Sequence, residues 1–209
     1  MSDCCNTSSD CCESESSKVS HNDHDQHRQR VRDAYAQVAQ ANNSDEACGI
    51  ESSCCGVSDD AAINTLISTR IGYSEEDLTK VPSGADMGLG CGNPRAIASL
   101  KAGEVVVDLG AGGGFDCFLA AHEVGDTGHV IGIDMTPDML SKARNNATKG
   151  NFTNVEFRLG EIEHLPIADD TANVIISNCV INLSPNKPQV FKEAYRVLKP
   201  GGRLAISDV

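Results

Sequence analysis

From Val105 onward, short apolar runs alternate with stretches whose apolar positions recur at helical spacing. Val105, Val106 and Val107 form a run too uniformly apolar for a half-wet strand, which predicts a strand buried on both faces. It runs into Asp108 and a turn containing Gly110, Gly112 and Gly114. A helix-compatible stretch through Phe118, Leu119, Ala120 and Ala121 leads to a GDTGH turn and then to HVIGIDM, an apolar strand ending in Asp134. NVEFRLGEIEHLP (Asn154 to Pro166) reads as a third strand with a polar turn, and ANVIISN as a fourth strand ending at Asn178. PNKPQVFKEAYRVL places Val190, Ala194, Val197 and Leu198 on one helical face; the helix is expected to stop at Lys199-Pro200-Gly201-Gly202, after which RLAISDV starts a fifth strand. Strands and helices alternating at this rhythm predict an α/β fold built on a doubly wound, mostly parallel sheet.

The first 60 residues differ in kind. They hold 12 acidic and four basic side chains and seven of the ten cysteines, within a chain of net charge −13. Residues 1–27, rich in Ser, Asp, Asn and His, bury too little apolar surface to offset ordering entropy and are expected to be a disordered Cys/His-rich acidic tail. Between Arg28 and Ala41 a stripe of Val31, Tyr35 and Val38 predicts a helix packed on the domain, so residues 28–72 read as a helix plus a cysteine-pair segment and 73–209 as the main domain. The acidic surface argues against a nucleic acid partner, since phosphate backbones would be repelled. Nothing resembles a signal peptide or an 18-residue apolar span, so no membrane partner and a cytoplasmic location are expected.

The glycine turn carries the first chemistry. A dinucleotide site wants G-x-G-x-x-G, which would need glycine where Phe115 stands; the pattern here is D-x-G-x-G-x-G and looks like the first motif of S-adenosylmethionine-dependent methyltransferases. Asp134, 20 residues past Gly114, stands where an acidic residue accepts hydrogen bonds from both ribose hydroxyls; its structural alternative is a helix cap ahead of Thr136-Pro137. Glu161 and Ile162 fall where methyltransferases hold adenine, or are an ordinary strand-end turn. The expected cofactor contacts are Asp108, Gly110, Ala111, Gly112, Gly114, Asp134, Met135, Glu161, Ile162 and Asn178.

Ten thiols in a cytosolic chain point to soft-metal or redox chemistry rather than a disulfide framework. Structural zinc favours C-x₂₋₄-C pairs; here the cysteines are the adjacent pairs Cys4-Cys5, Cys11-Cys12 and Cys54-Cys55, with Cys48 and the single Cys91, Cys117 and Cys179. His21, His24 and His27 add metal affinity or belong to a solvated tail. Cys91 lies in the turn GLGCGNP and Cys179 directly after the fourth strand, so both thiols are placed to face one pocket at the carboxyl ends of the strands. The alternative is that each is a small buried hydrophobe, a description that suits Cys117 better.

Read in order, YSEEDL, GLGCGNP, DLGAGGGFDCFLAA, IGIDMTPDML, EFRLGEIEHLP, SNCVINLSPNK and LKPGGRLAISDV resemble the microbial arsenite S-adenosylmethionine methyltransferases from about Tyr73 to Val209, and SSCCG at Ser52 to Gly56 resembles their amino-terminal cysteine pair. The resemblance implies a Rossmann-like class I methyltransferase fold and S-adenosylmethionine as cofactor. It implies methylation of arsenite for detoxification, with Cys91 and Cys179 as arsenic ligands and Cys54 or Cys55 assisting by thiol exchange. Glutathione or thioredoxin would deliver the arsenic and keep the thiols reduced. Soft, three-coordinate arsenic suits thiolates, and its free lone pair attacks the methyl carbon without a general base. The family continues past a fifth strand into a region with another cysteine, so a carboxy-terminally truncated chain, with its sheet incomplete after the fifth strand, is expected. Two rivals remain: methylation of a small organic molecule, insensitive to thiol alkylation, and a non-catalytic thiol-rich module that binds metalloid without the methyl donor.

Overall fold

The computed structural model describes residues 21–41 and 60–208. Five strands, β1 (Val105–Leu109), β2 (His129–Asp134), β3 (Val155–Leu159), β4 (Ala172–Asn178) and β5 (Leu198–Ser207), form one sheet in the order β3-β2-β1-β4-β5, with every pairing parallel. The chain leaves the centre through β2 to β3 and returns beside β1 as β4. The strand order therefore reverses between β1 and β4, where an open α/β sheet parts its loops into a crevice.

The apolar run of β1 is divided between two cores. Val106 packs with Val130, Val174, Ile176, Phe118 and Leu140 on one face, whereas Val107 and Leu109 pack with Ile131, Ile133 and Ile175 on the other. The first face is covered by α4 (Pro94–Ala98), α5 (Phe115–Val124) and α6 (Pro137–Lys149), the second by α7 (Lys187–Val197) through Val190, Ala194 and Val197. Successive strand residues point to opposite faces, so a doubly covered strand must be apolar at consecutive positions.

Two expectations are corrected at element boundaries. Leu198 does not continue the helix, and the fifth strand does not wait for Arg203. β5 opens at Leu198, paired to Ala172, bulges across Lys199 to Gly202 and resumes its ladder with Arg203 against Val174. At the other end α1 (His21–Ala41) begins seven residues before Arg28, so residues 21–27 are helical rather than disordered. Adding turns to an anchored helix costs far less than nucleating one, and the His27 ring is hydrogen-bonded to the Leu183 carbonyl (Nε2···O 2.9 Å). Ala39 is buried with Met87 and Met139, which seats α1 on the domain. Residues 1–20, with Cys4, Cys5, Cys11 and Cys12, lie outside the described residues, as do Cys48, Cys54 and Cys55. Two further helices, α2 (Asp60–Arg70) and α3 (Glu75–Thr79), lead into the loop before α4; Ser74 and Asp77 close a reciprocal cap on α3. Among the described residues no helix is long and apolar enough to cross a membrane.

Candidate active site

At the carboxyl edge of β1 the glycine turn folds over the end of β2. The Gly110 and Ala111 N–H groups both donate to the Ile133 carbonyl, at 2.8 and 2.9 Å. The Gly112 N–H donates to one oxygen of Asp134 (2.9 Å) and the Thr136 N–H to the other (2.8 Å). Burial raises the pKa of the Asp134 carboxyl, and these N–H donors offset part of that rise. Asp134 thus serves the local turn and also lines the crevice. Gly112 has a φ of +50°, and a Cβ there would meet nothing within 4 Å: it is the open edge of the crevice. Gly110 is glycine for a different reason, because a Cβ would sit 2.6 Å from Val180 Cγ2. Gly114 caps α5 at φ +92°, where a Cβ would press on Phe118 and Phe157 in the core behind the crevice.

Below the glycine turn lie two buried acids, only one of them expected. Asp108 accepts from the Cys117 thiol at 3.1 Å, and Asp116 accepts from the Tyr73 hydroxyl at 2.6 Å and the Asn178 amide at 3.1 Å. Burial, then the charge of Asp116, pushes the Asp108 carboxyl well above the usual carboxylate range. Burial also raises Asp116, against its hydrogen bonds to Tyr73 and Asn178. Burial and the neighbouring Asp108 hold the Cys117 thiol far from ionisation, so its reading as a buried, inert cysteine stands. Tyr73 and Asp116 carried no periodic signal; their only trace was a polar residue two places past the last glycine of the turn and a tyrosine ahead of the α3 cap.

Cys91 and Cys179, 88 residues apart in sequence, meet at the switch point with Cα atoms 5.9 Å apart and their sulfurs in contact, a spacing that a disulfide can bridge. The fold thus brings the two cysteines side by side at the end of β4. The same backbone spacing leaves two thiolates, once reduced, within reach of one three-coordinate atom. Cys179 adopts φ +56°, a left-handed conformation uncommon for a residue with a Cβ, and its N–H donates to the Ser207 carbonyl at 2.8 Å. Cys179 lines the crevice beside Asn178 and Val180.

The opposite wall comes from α1, whose Arg28, Val31 and Tyr35 face the crevice. Glu161, expected to take an adenine amine, is instead ion-paired to Arg28 Nε and Arg32 Nη2, each at 3.3 Å, which anchors α1. Ile162 lines the crevice, and so do Ala111 and Met135. Glu163, not singled out from the sequence, is buried there, taking a hydrogen bond from Ser184 Oγ at 2.5 Å. His27 is held by Leu183, and among the described residues no group of three His, Cys, Asp or Glu is arranged to hold a metal ion. Counted out to its mouth, the crevice encloses about 1110 Å³. Asp108, Asp116 and Asp134 converge on it, and among the described lining residues Arg28 is the one lysine or arginine, itself within 3.3 Å of Glu161. Such a site suits a cationic ligand with an apolar body.

Comparison with known proteins gives the same picture. A family profile described as a methyltransferase domain matches residues 100–209. An arsenite methyltransferase of Halobacterium salinarum is 53% identical over 198 residues, which are 91% of this chain and 49% of that protein. An arsenite methyltransferase of Homo sapiens is 46% identical over 113 residues, 50% of this chain and 30% of its own. Among solved structures, an arsenic (III) S-adenosylmethionine methyltransferase from Chlamydomonas reinhardtii superposes with a TM-score of 0.54 at 40% identity, covering 70% of this chain and 48% of that one. The chain thus spans about half the length, or less, of the arsenite methyltransferases it matches.

Proposed function

This chain belongs to the methyltransferase-domain family, and from that premise we propose that it transfers methyl groups from S-adenosylmethionine to thiol-bound trivalent arsenic. The observation that carries the reading is the meeting of Cys91 with Cys179, which lines a crevice that Asp108, Asp116 and Asp134 also line. Trivalent arsenic is soft, and thiolates are the side chains that select soft centres.

The crevice suits the cofactor on its own chemistry: the edge left open by Gly112, the acceptor Asp134, the apolar Ile162 and the paired acids Asp108 and Asp116 match a nucleoside carrying positive charge. When bound, S-adenosylmethionine supplies an electrophilic methyl group. Asp134 would hold the ribose hydroxyls, and Asp108 and Asp116 would complement the cationic end. Because Glu161 is committed to Arg28 and Arg32, its part is to hold α1 over the site. Cys91 and Cys179 would present arsenic with its lone pair free, so no side chain has to remove a proton. Their contribution is alignment, an effect worth about 7–11 kcal/mol when reacting atoms are well oriented. The pair must be reduced first, a role suited to glutathione or thioredoxin, and we place the reaction in the cytoplasm, where such reductants keep thiols free.

Incubating the protein with arsenite, S-adenosylmethionine and a thiol reductant, and separating arsenic species by chromatography with mass detection, tests the reading. Methylated arsenic is expected from the wild type and from Cys117→Ser, and none from Cys91→Ser or Cys179→Ser. Undiminished product from either of the latter two would reject the ligand pair. Methylation of an organic acceptor in a thiol-alkylated sample would favour small-molecule chemistry instead.

A further inference from the structure

The loop that carries Cys91 is fastened to the end of β4 by one side chain. Asn178, the last residue of that strand and the neighbour of Cys179, accepts from the Cys91 N–H through Oδ1 at 3.1 Å and donates from Nδ2 to the Gly92 carbonyl at 2.9 Å. The same nitrogen lies 3.1 Å from Tyr73 Oη and 3.1 Å from Asp116 Oδ2. A backbone N–H only donates and a carbonyl only accepts, so these two partners fix which way the amide points. Asn178 was expected among the cofactor contacts; its polar atoms are instead taken up by the cysteine loop and the buried acid beneath it.

The loop is shaped for this approach. A Cβ on Gly90 would lie 2.8 Å from Asn178 Nδ2, and one on Gly92 would run into the Ser207 side chain. The glycines flanking Cys91 therefore serve close contact with β4 and β5. Ser207 completes the arrangement, since its carbonyl takes the Cys179 N–H at 2.8 Å and lies 3.9 Å from the Cys91 sulfur.

We propose that Asn178 is a positioning residue for the two cysteines: its amide clamps the Cys91 loop to β4, setting the spacing at which both sulfurs address one atom. Through Asp116 and Tyr73 the same amide ties that spacing to the floor of the crevice. The identity of the bound atom rests on the arsenic reading above; the clamp does not. Without the amide, a loop with glycine on both sides of its cysteine regains backbone freedom, and the two thiols meet less often.

The test uses the reduced wild type, Asn178→Ala and Gly90→Ala, with folding checked by circular dichroism. Arsenite itself is titrated by its sulfur charge-transfer absorbance, S-adenosylmethionine affinity is read by calorimetry, and the Cys91–Cys179 dithiol–disulfide equilibrium is followed in glutathione buffers by alkylation and mass spectrometry. Asn178→Ala is expected to weaken arsenite binding about tenfold or more, the loss of two hydrogen bonds, and to shift the thiol equilibrium toward the dithiol by a similar factor. Cofactor affinity should fall by a smaller factor than arsenite affinity. Gly90→Ala, which displaces the same amide from the loop side, should do likewise and decides the matter if Asn178→Ala misfolds. Unchanged arsenite affinity and thiol equilibrium in a folded variant would overturn the clamp, and so would a loss confined to the cofactor. A wild type that binds no arsenite would sink the arsenic reading, while the thiol equilibrium would still decide whether Asn178 holds the pair.

Discussion

Asp108 is an acid that the fold buries at a cost in stability. It is 3% exposed, its polar partner is a thiol, and burial with the nearby Asp116 lifts its pKa well above the ordinary carboxylate range. Between the ordinary value and the raised one, the folded chain keeps a proton that the unfolded chain has released. Its contribution to stability therefore falls as pH rises through that window and levels off above it. Asp108→Asn removes the charge and keeps the shape, so the variant should melt higher than the wild type at alkaline pH. Relief on the order of 1 kcal/mol corresponds to about 2–4 °C for a domain of this size. The gap should close on acidification, where the protonated acid is as neutral as the amide. Melting curves from pH 5 to 9 check this, and a gap that widens toward acid would refute the assignment. Cofactor affinity should drop in the same variant at pH values where Asp108 is ionised, since a cationic ligand then loses a carboxylate.

At the scale of elements, the glycine turn between β1 and α5 combines two unlike roles in one motif. Gly112 stands at φ +50° with open space where a Cβ would go, whereas Gly114, at φ +92°, has Phe118 and Phe157 within 3 Å of that point. Gly112→Ala should therefore lose only the left-handed backbone penalty, about 1–2 kcal/mol, yet weaken S-adenosylmethionine binding strongly by projecting a methyl into the crevice. Gly114→Ala should destabilise the fold more, through strain and overpacking together. Urea denaturation beside calorimetric titration separates the two; equal stability losses, or cofactor binding unaffected by Gly112→Ala, would contradict this division. The ion pairs from Glu161 to Arg28 and Arg32 act on the same scale, seating α1 across the crevice.

Over the whole molecule, the crevice is assembled from segments spread along the chain: Tyr35 on α1, Met87 before α4, the turn after β1, Asp134 at the end of β2, Ile162 after β3 and Cys179 after β4. A ligand that binds only this assembled form should stabilise all of it. At one hundred times its dissociation constant, S-adenosylmethionine adds about 2.7 kcal/mol, a rise of about 5–10 °C in melting temperature. Hydrogen exchange should slow in all six segments together, whereas arsenite should protect chiefly the residues around Cys91 and Cys179. Cofactor protection confined to residues 108–136, with α1 unaffected, would show that α1 is no part of the site.

The sequence by itself determined what repeats or what is local. Consecutive apolar residues in β1 announced a strand covered on both faces, the apolar runs of β2 and β4 announced strands, and glycines at alternate positions announced a tight turn. The order of strands and helices then required the turn after β1 and the residue after β4 to share the switch point, so the place of Cys179 in the crevice wall was legible from sequence. The start of β5 was not, because Lys199-Pro200-Gly201-Gly202 reads as a turn and only the pairing of Leu198 with Ala172 makes it a bulge inside a strand. Nor was the partner of Glu161, the acid at position 116, or the task of Asn178. Those are contacts between residues 62 to 133 positions apart, and no window of local periodicity records them. Tertiary structure decided them because a buried polar group must find its partner wherever the packed fold supplies one, and that choice is made after the strands and helices have already been placed.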